Sequence, residues 1–265
     1  MRVQDSRALP ADANHRAAYD PVGPVRVRPL VRIFEREPDL LTGVAPDLVG
    51  RLTRHVTVEQ EEVPIGNWRP SGDLCDERHL GLLVLEGLLS RESRVLGRRA
   101  AELLGSGDLV RPSQPAPITS VPQEGGWQAL SPLKLAVLDF EFQTTIAHWP
   151  PITTALAARA VERSRRAVAQ LAIARIHGLP TRLHVLFWFL ADRWGRRAGG
   201  QVTLCLRLSH ALLGQLVAAE RPPVTTALTE LANRGLVVKQ GHSHWTLHGP
   251  PPTEARQLVA LPALT

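Results

Sequence analysis

Residues 152–177 contain neither glycine nor proline, while Pro151 stands just before them and Gly178 just after. Proline suits the first turn of a helix and glycine its end, so this stretch predicts one helix of about 25 residues. Such a rod constrains the rest of the chain, because it parts two halves of unlike pattern. Along it Ile152, Leu156, Ala160, Ala167, Leu171 and Ala174 fall near one stripe. Arg159, Glu162, Arg163, Arg166 and Gln170 occupy the remainder. A helix this long with so modest an apolar stripe either packs on its own domain or pairs with a copy of itself. The pattern alone leaves both open.

The half before the rod is strand-like. Residues 1–29 are polar, rich in proline and alanine and without periodicity, and are expected to form a flexible arm. Short helices broken at Pro38 and Pro46 follow. Then come "HVTVEQEEVPIGNW", "HLGLLVLEGLLSRE", "RRAAELLGSGDLVRP" and "WQALSPLKLAVLDFEF", short apolar runs divided by turn residues. Gly87 is placed for a turn or bulge, and Gly105-Ser-Gly-Asp108 for a tight turn. Residues 112–126 read as a loop. Strands at this spacing predict a small antiparallel barrel or sandwich over 30–148.

The half after the rod is helical and basic. Residues 151–249 hold 13 lysines and arginines against 4 aspartates and glutamates, a difference of +9. Residues 1–150 hold 17 against 20, a difference of −3. The asymmetry suggests two domains and a polyanionic partner for the second. Cys75 and Cys205 are too few for a disulfide framework or an iron–sulfur cluster. Cys75 and His79 make two ligands and no metal site. No apolar run approaches the roughly 20 residues of a bilayer span, and the first 20 residues lack the apolar core of a secretory signal. The expected setting is the cytoplasm, without a membrane. No catalytic grouping stands out, and "LLGSGDL" lacks the Lys-Ser/Thr of a phosphate loop. The chain does not read as an enzyme.

After the rod, "PTRLHVLFWFLADRWG" predicts a second helix and "QVTLCLRLS" a strand. "LSHALLGQLVAAERPPVTTALTEL" holds two further helices. Ser209 caps the first, and Leu212, Leu213, Leu216 and Val217 form its inner face. Gly214 costs about 1 kcal/mol inside a helix, tolerable where another helix crosses very closely. Val224, Ala227, Leu228 and Leu231 give the second helix its i, i+3, i+4, i+7 face. That face puts Arg221, Pro222 and Pro223 in the first turn, where missing amides do no harm. Outward stand Arg221, Thr225, Thr226 and Thr229, with no acid until Glu230. Two such helices form a helix-turn-helix, and "RGLVVKQGHSHWTLHG" supplies a hairpin wing with Lys239, His242 and His244 near its tip.

This segment resembles the helix-turn-helix of the Crp/Fnr family of bacterial transcription regulators. Ser209 stands where the family caps the first helix, Gly214-Gln215 where a Gly-Gln pair follows, and Arg221 where an arginine opens the recognition helix. "HLGLLVLEGLL" and "ELLGSGDLV" resemble two strand-turn signatures of the family's cyclic-nucleotide-binding barrel. The resemblance covers roughly residues 31–249. It implies an α+β chain of five parts. These are an N-terminal arm (1–29), a double-stranded β-helix jelly-roll barrel (30–148), a dimerisation helix (149–178), a winged helix-turn-helix (179–250) and a C-terminal tail (251–265). It implies no catalysis. Double-stranded DNA, a second copy of the chain and RNA polymerase are the implied partners.

The departures are chemical. Cyclic-nucleotide binders of the family follow the barrel turn with a Gly-Glu helix and an Arg-Ser/Thr pair that hold phosphate and ribose. Here the segment is "LVRPSQPAPITSVPQEGGW", with prolines in place of amides and Gln123-Glu124-Gly125-Gly126 in place of the arginine pair. Cyclic AMP is therefore not expected, and no cofactor is predicted; the barrel would sense another small molecule or serve as a scaffold. Pro222 stands where many members carry a base-reading glutamate. The expected DNA-facing set is Ser209, His210, Arg221, Pro222, Thr225, Thr226, Thr229, Lys239, His242 and His244. Arg221 is suited to a guanine edge and Lys239 to phosphate. The expected dimer stripe is Ile152, Leu156, Ala160, Ala167, Leu171 and Ala174. A rival reading has the winged helix dock on another protein rather than DNA.

Overall fold

The computed structural model describes residues 27–112, 120–121 and 123–252. Most of the expected arm, the tail from 253 onward and the proline-rich segment 113–119 lie outside the described residues. The first half runs β1 (Leu30–Arg32), α1 (Ile33–Arg36), a 3-10 turn over Pro38–Leu41, α2 (Pro46–His55), β2 (Thr57–Val63), β3 (Gly66–Trp68), a second 3-10 turn over Gly72–Cys75, β4 (Gly81–Glu86), β5 (Leu88–Val95), β6 (Arg98–Gly105), β7 (Leu109–Val110), β8 (Gln123–Ala129) and β9 (Leu133–Leu138). The second half runs α3 (Phe140–Ile146), α4 (Pro150–Ala174), α5 (Leu179–Trp194), β10 (Gly195–Ala198), β11 (Gln201–Cys205), α6 (His210–Val217), α7 (Arg221–Asn233), β12 (Val237–Gln240) and β13 (His244–Leu247).

The barrel is two antiparallel sheets, ordered β1-β2-β9-β4-β7 and β3-β8-β5-β6. Strand β4 explains why "GLLVLE" shows no alternation. Leu82 and Val84 face the second sheet, where they meet Trp68, Leu89, Leu104 and Ala129. Leu83 and Leu85 face the other way, onto Ile33, Phe34, Leu52, Phe142, Ile152 and Leu156. A strand covered on both sides is apolar throughout. Gly87 joins the sheets at φ 97°, where a Cβ would lie 2.2 Å from Pro132 O. Only glycine fits that corner.

Residues just before the expected boundary at residue 30 already pack on the barrel. The Arg28 side chain is nearly buried and pairs with Glu59 at 3.0 Å, Glu61 at 2.5 Å and Asp73 at 2.6 Å. This clamp also accounts for the buried Glu61 in β2, which departs from apolar alternation.

The winged half carries the sheet β10-β11-β13-β12 behind α5, α6 and α7. Its core includes Leu186, Phe187, Leu190, Leu213, Leu216, Val224 and Trp245, and also Leu88, Ala101 and Leu103 from the β5–β6 hairpin. Barrel and winged helix therefore share one apolar core. Polar contacts reinforce it. Asp108, at the turn before β7, accepts from Arg166 of α4 and from Arg193 of α5.

The long helix sits otherwise than the expected stripe requires. Ile152 and Leu156 are fully enclosed by the protein's own first half. Ala167 and Ala174 are half-buried beside the β5–β6 hairpin, and Ala160 is exposed. The polar residues point inward instead. Arg159 reaches Glu37 and Asp39, each at 2.7 Å, Arg163 reaches Glu102 at 2.8 Å, and Gln170 donates to Ala101 O at 2.7 Å. The expected stripe thus holds two residues of the intrachain core, and of its six residues only Leu171 lies on the large apolar outer face. Val161, Val168 and Leu171 are 53%, 64% and 67% exposed. With Ala157 and Ser164, also exposed, they follow one another at alternating steps of four and three residues.

Candidate nucleic-acid interface

The helix-turn-helix is built as its pattern requires. Ser209 is extended at φ −77° and ψ 156°, and its hydroxyl accepts from Leu212 N at 3.1 Å. Helix α6 ends in Ala218, a left-handed residue at φ 54°. The reversal brings Ala219 O so close that a Cβ on Gly214 would sit 2.4 Å from it. What crosses Gly214 is the turn itself rather than another helix. Helix α7 then opens at Arg221 with prolines in its first turn, and Val224, Ala227, Leu228 and Leu231 are buried beneath it.

Outward, the structure brings most of the expected residues together. Arg221, Pro222, Thr225, Thr226 and Thr229 are exposed on α7. Thr225 Oγ1 lies 2.8 Å from His210 Nδ1 and donates to Arg221 O at 3.2 Å. The Thr225 hydroxyl is thus shared between the first turn of α7 and the first residue of α6. Thr229 Oγ1 donates to Thr225 O at 3.1 Å, so its hydroxyl is occupied by its own helix.

Three cationic or protonatable groups converge here. The His210 imidazole is held below its usual 6.5, first by burial, then by the charges of Lys239 and Arg221. The wing lysine and the opening arginine of α7 therefore both act on one histidine of α6. Lys239 is itself fixed, with Nζ 4.9 Å from the centre of the buried Trp245 ring. His242 and His244 stand apart at the wing tip, exposed, with His244 Nδ1 3.3 Å from Ser243 Oγ.

Two residues escaped sequence reasoning. Asp108, legible there only as a turn residue, is 2% exposed and ties together three elements. Arg182 donates to Ile176 O and Val217 O, bracing the end of α6 against the end of α4. Neither has a local signal, because each partner lies on another element. At the site of the expected cyclic-nucleotide cassette, Gln123, Glu124, Gly125 and Gly126 are exposed residues of β8 paired with β5. Segment 113–119 lies outside the described residues. Among the described residues no group of three or more His, Cys, Asp or Glu side chains is placed to hold a metal ion. No described helix is long and apolar enough to cross a membrane.

No protein-family model and no curated protein matches the chain in sequence. Solved structures match it in fold. FixK2 from Bradyrhizobium japonicum superposes with a TM-score of 0.57 at 14% identity, over 79% of this chain and 100% of its own. The c-di-GMP-responsive global regulator CLP of Xanthomonas campestris gives 0.55 at 18%, over 78% and 100%. A CRP-family transcriptional regulator from Thermus thermophilus gives 0.53 at 19%, over 77% and 98%. The chain has the fold of these regulators: an antiparallel barrel, a long helix and a winged helix-turn-helix.

Proposed function

We propose that this protein is a transcription regulator of Crp/Fnr type that binds a near-palindromic duplex site as a homodimer. The observation that carries the reading is the outer face of α7, where Arg221, Thr225, Thr226 and Thr229 stand exposed and Thr225 Oγ1 lies 2.8 Å from His210 Nδ1 of α6. Glu220, the acid beside them, is exposed and lies 4.0 Å from Arg98. A face of this kind is built for phosphate oxygens and base edges. Arg221 reads a base, with Thr225 and Thr226 beside it. Lys239 positions the duplex through its backbone, as His242 and His244 do farther along the wing. Ser209 caps α6, His210 meets Thr225 of α7, both at the edge of the DNA-facing surface, and Pro222 presets the opening turn of α7.

Pairing follows the exposed face of α4 rather than the stripe through Ile152. Ala157, Val161, Ser164, Val168 and Leu171 have the spacing of a two-stranded seam, and burying each large side chain would contribute about 1.5–3 kcal/mol. A two-fold dimer of this kind sets its recognition helices about 34 Å apart, one turn of DNA. Gln123, Glu124, Gly125 and Gly126 stand exposed on β8 where an arginine pair would hold a nucleotide, which supports a control other than cyclic AMP. RNA polymerase remains the partner a regulator of this type would engage.

The test is a footprinted site titrated with the protein and with Arg221→Ala. The variant should bind about 1–3 kcal/mol more weakly and lose preference at one base pair. Equal weakening on every sequence would remove base reading from Arg221. Binding insensitive to salt would favour docking on a protein instead, since counterion release accompanies phosphate contact.

A further inference from the structure

We propose that the tip of the β5–β6 hairpin is a second nucleic-acid contact, in which Arg98 and Arg99 take phosphates bordering the groove that α7 enters. The inference rests on the DNA-binding reading above and adds a surface from the barrel half to it.

The hairpin is built to hold its tip in place. It pairs in register from Leu88↔Gly105 to Val95↔Arg98, and turns through Leu96 and Gly97, both at positive φ (46° and 77°). A two-residue turn of that handedness matches the strand twist and stiffens the end. Farther down, Leu88, Ala101 and Leu103 lie in the core of the winged helix, so the hairpin and α7 belong to one packed body. By strand alternation Arg99 shares the face of Ala101 and Leu103. It continues the surface that carries the winged helix.

The charges at the tip lack a structural purpose within the chain. Arg98 Nη1 comes within 4.0 Å of Glu220 Oε1, the residue immediately before Arg221, with the two side chains 89% and 83% exposed. An exposed pair at that distance contributes at most about 1 kcal/mol, so Arg98 is free to exchange partners. Arg99 stands directly across the hairpin from Arg94, and like charges in that register are destabilising. Arg94 has Glu124 at 3.2 Å, whereas Arg99 has no ion-pair partner among the described residues. A hairpin with no outside partner gains nothing from this arrangement. A polyanion beside Arg221 neutralises it. Arg98 and Arg99 thus extend the basic cluster of Arg221, Lys239 and His210 from a segment more than a hundred residues away.

The experiment compares the full-length protein with the Arg98→Gln/Arg99→Gln double variant by fluorescence anisotropy. Each is titrated with a duplex carrying the footprinted site and with an unrelated duplex, at several salt concentrations. Thermal melting of both proteins checks the fold. The double variant should bind both duplexes at least roughly tenfold more weakly at low salt, with a salt slope smaller by about 4, two phosphates for each protomer of the dimer, and the ratio between the duplexes unchanged. An unchanged slope and affinity, with the wild type binding normally, overturns the hairpin contact alone. A wild type that binds neither duplex at low salt overturns both this inference and the reading beneath it.

Discussion

Arg193 Nη1 lies 2.7 Å from Asp108 Oδ2, joining the first helix of the winged half to a turn of the barrel. The other carboxylate oxygen receives Arg166 of the long helix, and Gly105 N donates to Oδ2 at 2.8 Å. One buried carboxylate thus fixes the angle at which three elements meet.

Asp108→Asn should lower stability by about 2–3 kcal/mol, because it leaves two guanidinium groups facing a neutral amide. The figure sits below the full penalty of an unpaired buried ion, since Arg166 and Arg193 are 26% and 22% exposed and can rehydrate. Urea unfolding measures it. A midpoint equal to that of the wild type would show that the clamp contributes nothing.

Two substitutions in the same turn should act in opposite directions. Gly214→Ala drives a Cβ into Ala219 O and should destabilise by roughly 2–3 kcal/mol. Ala218→Gly relieves a left-handed residue and should stabilise by about 1 kcal/mol. Melting curves of the pair read both signs, and a stabilising Gly214→Ala would contradict the close approach in the turn.

The two faces of α4 should separate by assay. Leu171→Glu should shift the protein toward monomer in sedimentation equilibrium while leaving its melting largely intact, because that side chain is exposed. Leu156→Ala should cost about 2–5 kcal/mol of fold stability through a core cavity, with assembly unaffected in the folded fraction. A dimer that survives Leu171→Glu at unchanged affinity would place the seam elsewhere.

His210 should give DNA binding a pH dependence of definite sign. Its folded-state value lies below the usual 6.5 for burial and for the nearby Lys239 and Arg221. Phosphates at the same face favour the imidazolium, so binding takes up a proton and affinity should rise as pH falls through 6.5 toward the lowered value. Stability of the free protein runs the opposite way. It is fully present above 6.5 and declines below, where the unfolded chain protonates and the folded one resists. His210→Gln should weaken both dependences, the wing histidines retaining their part in binding; affinity independent of pH in the wild type would rule out the coupling.

How much was legible in the residues depends on where each partner lies. The helix-turn-helix was readable because its determinants are local: the Ser209 cap, the Val224–Leu231 spacing and the prolines in the first turn of α7. Gly87 and the Leu82–Leu85 run were readable for the same reason. The outer face of α4 was not. Periodicity assigns arginines to solvent, but Arg159, Arg163 and Arg166 meet carboxylates at Glu37, Asp39, Glu102 and Asp108, far away in sequence. Burial of a charge depends on a counter-charge that no helical wheel displays.

The apolar core common to Leu88, Ala101, Leu103 and the winged helix bears on any attempt to divide this molecule. A fragment beginning at Leu179 would leave the underside of α6 naked, and the remaining piece would bare its hairpin; both would be prone to clump. Calorimetry of the intact chain should accordingly give one transition instead of two. A working transplant of its winged helix into another scaffold must carry the hairpin with it.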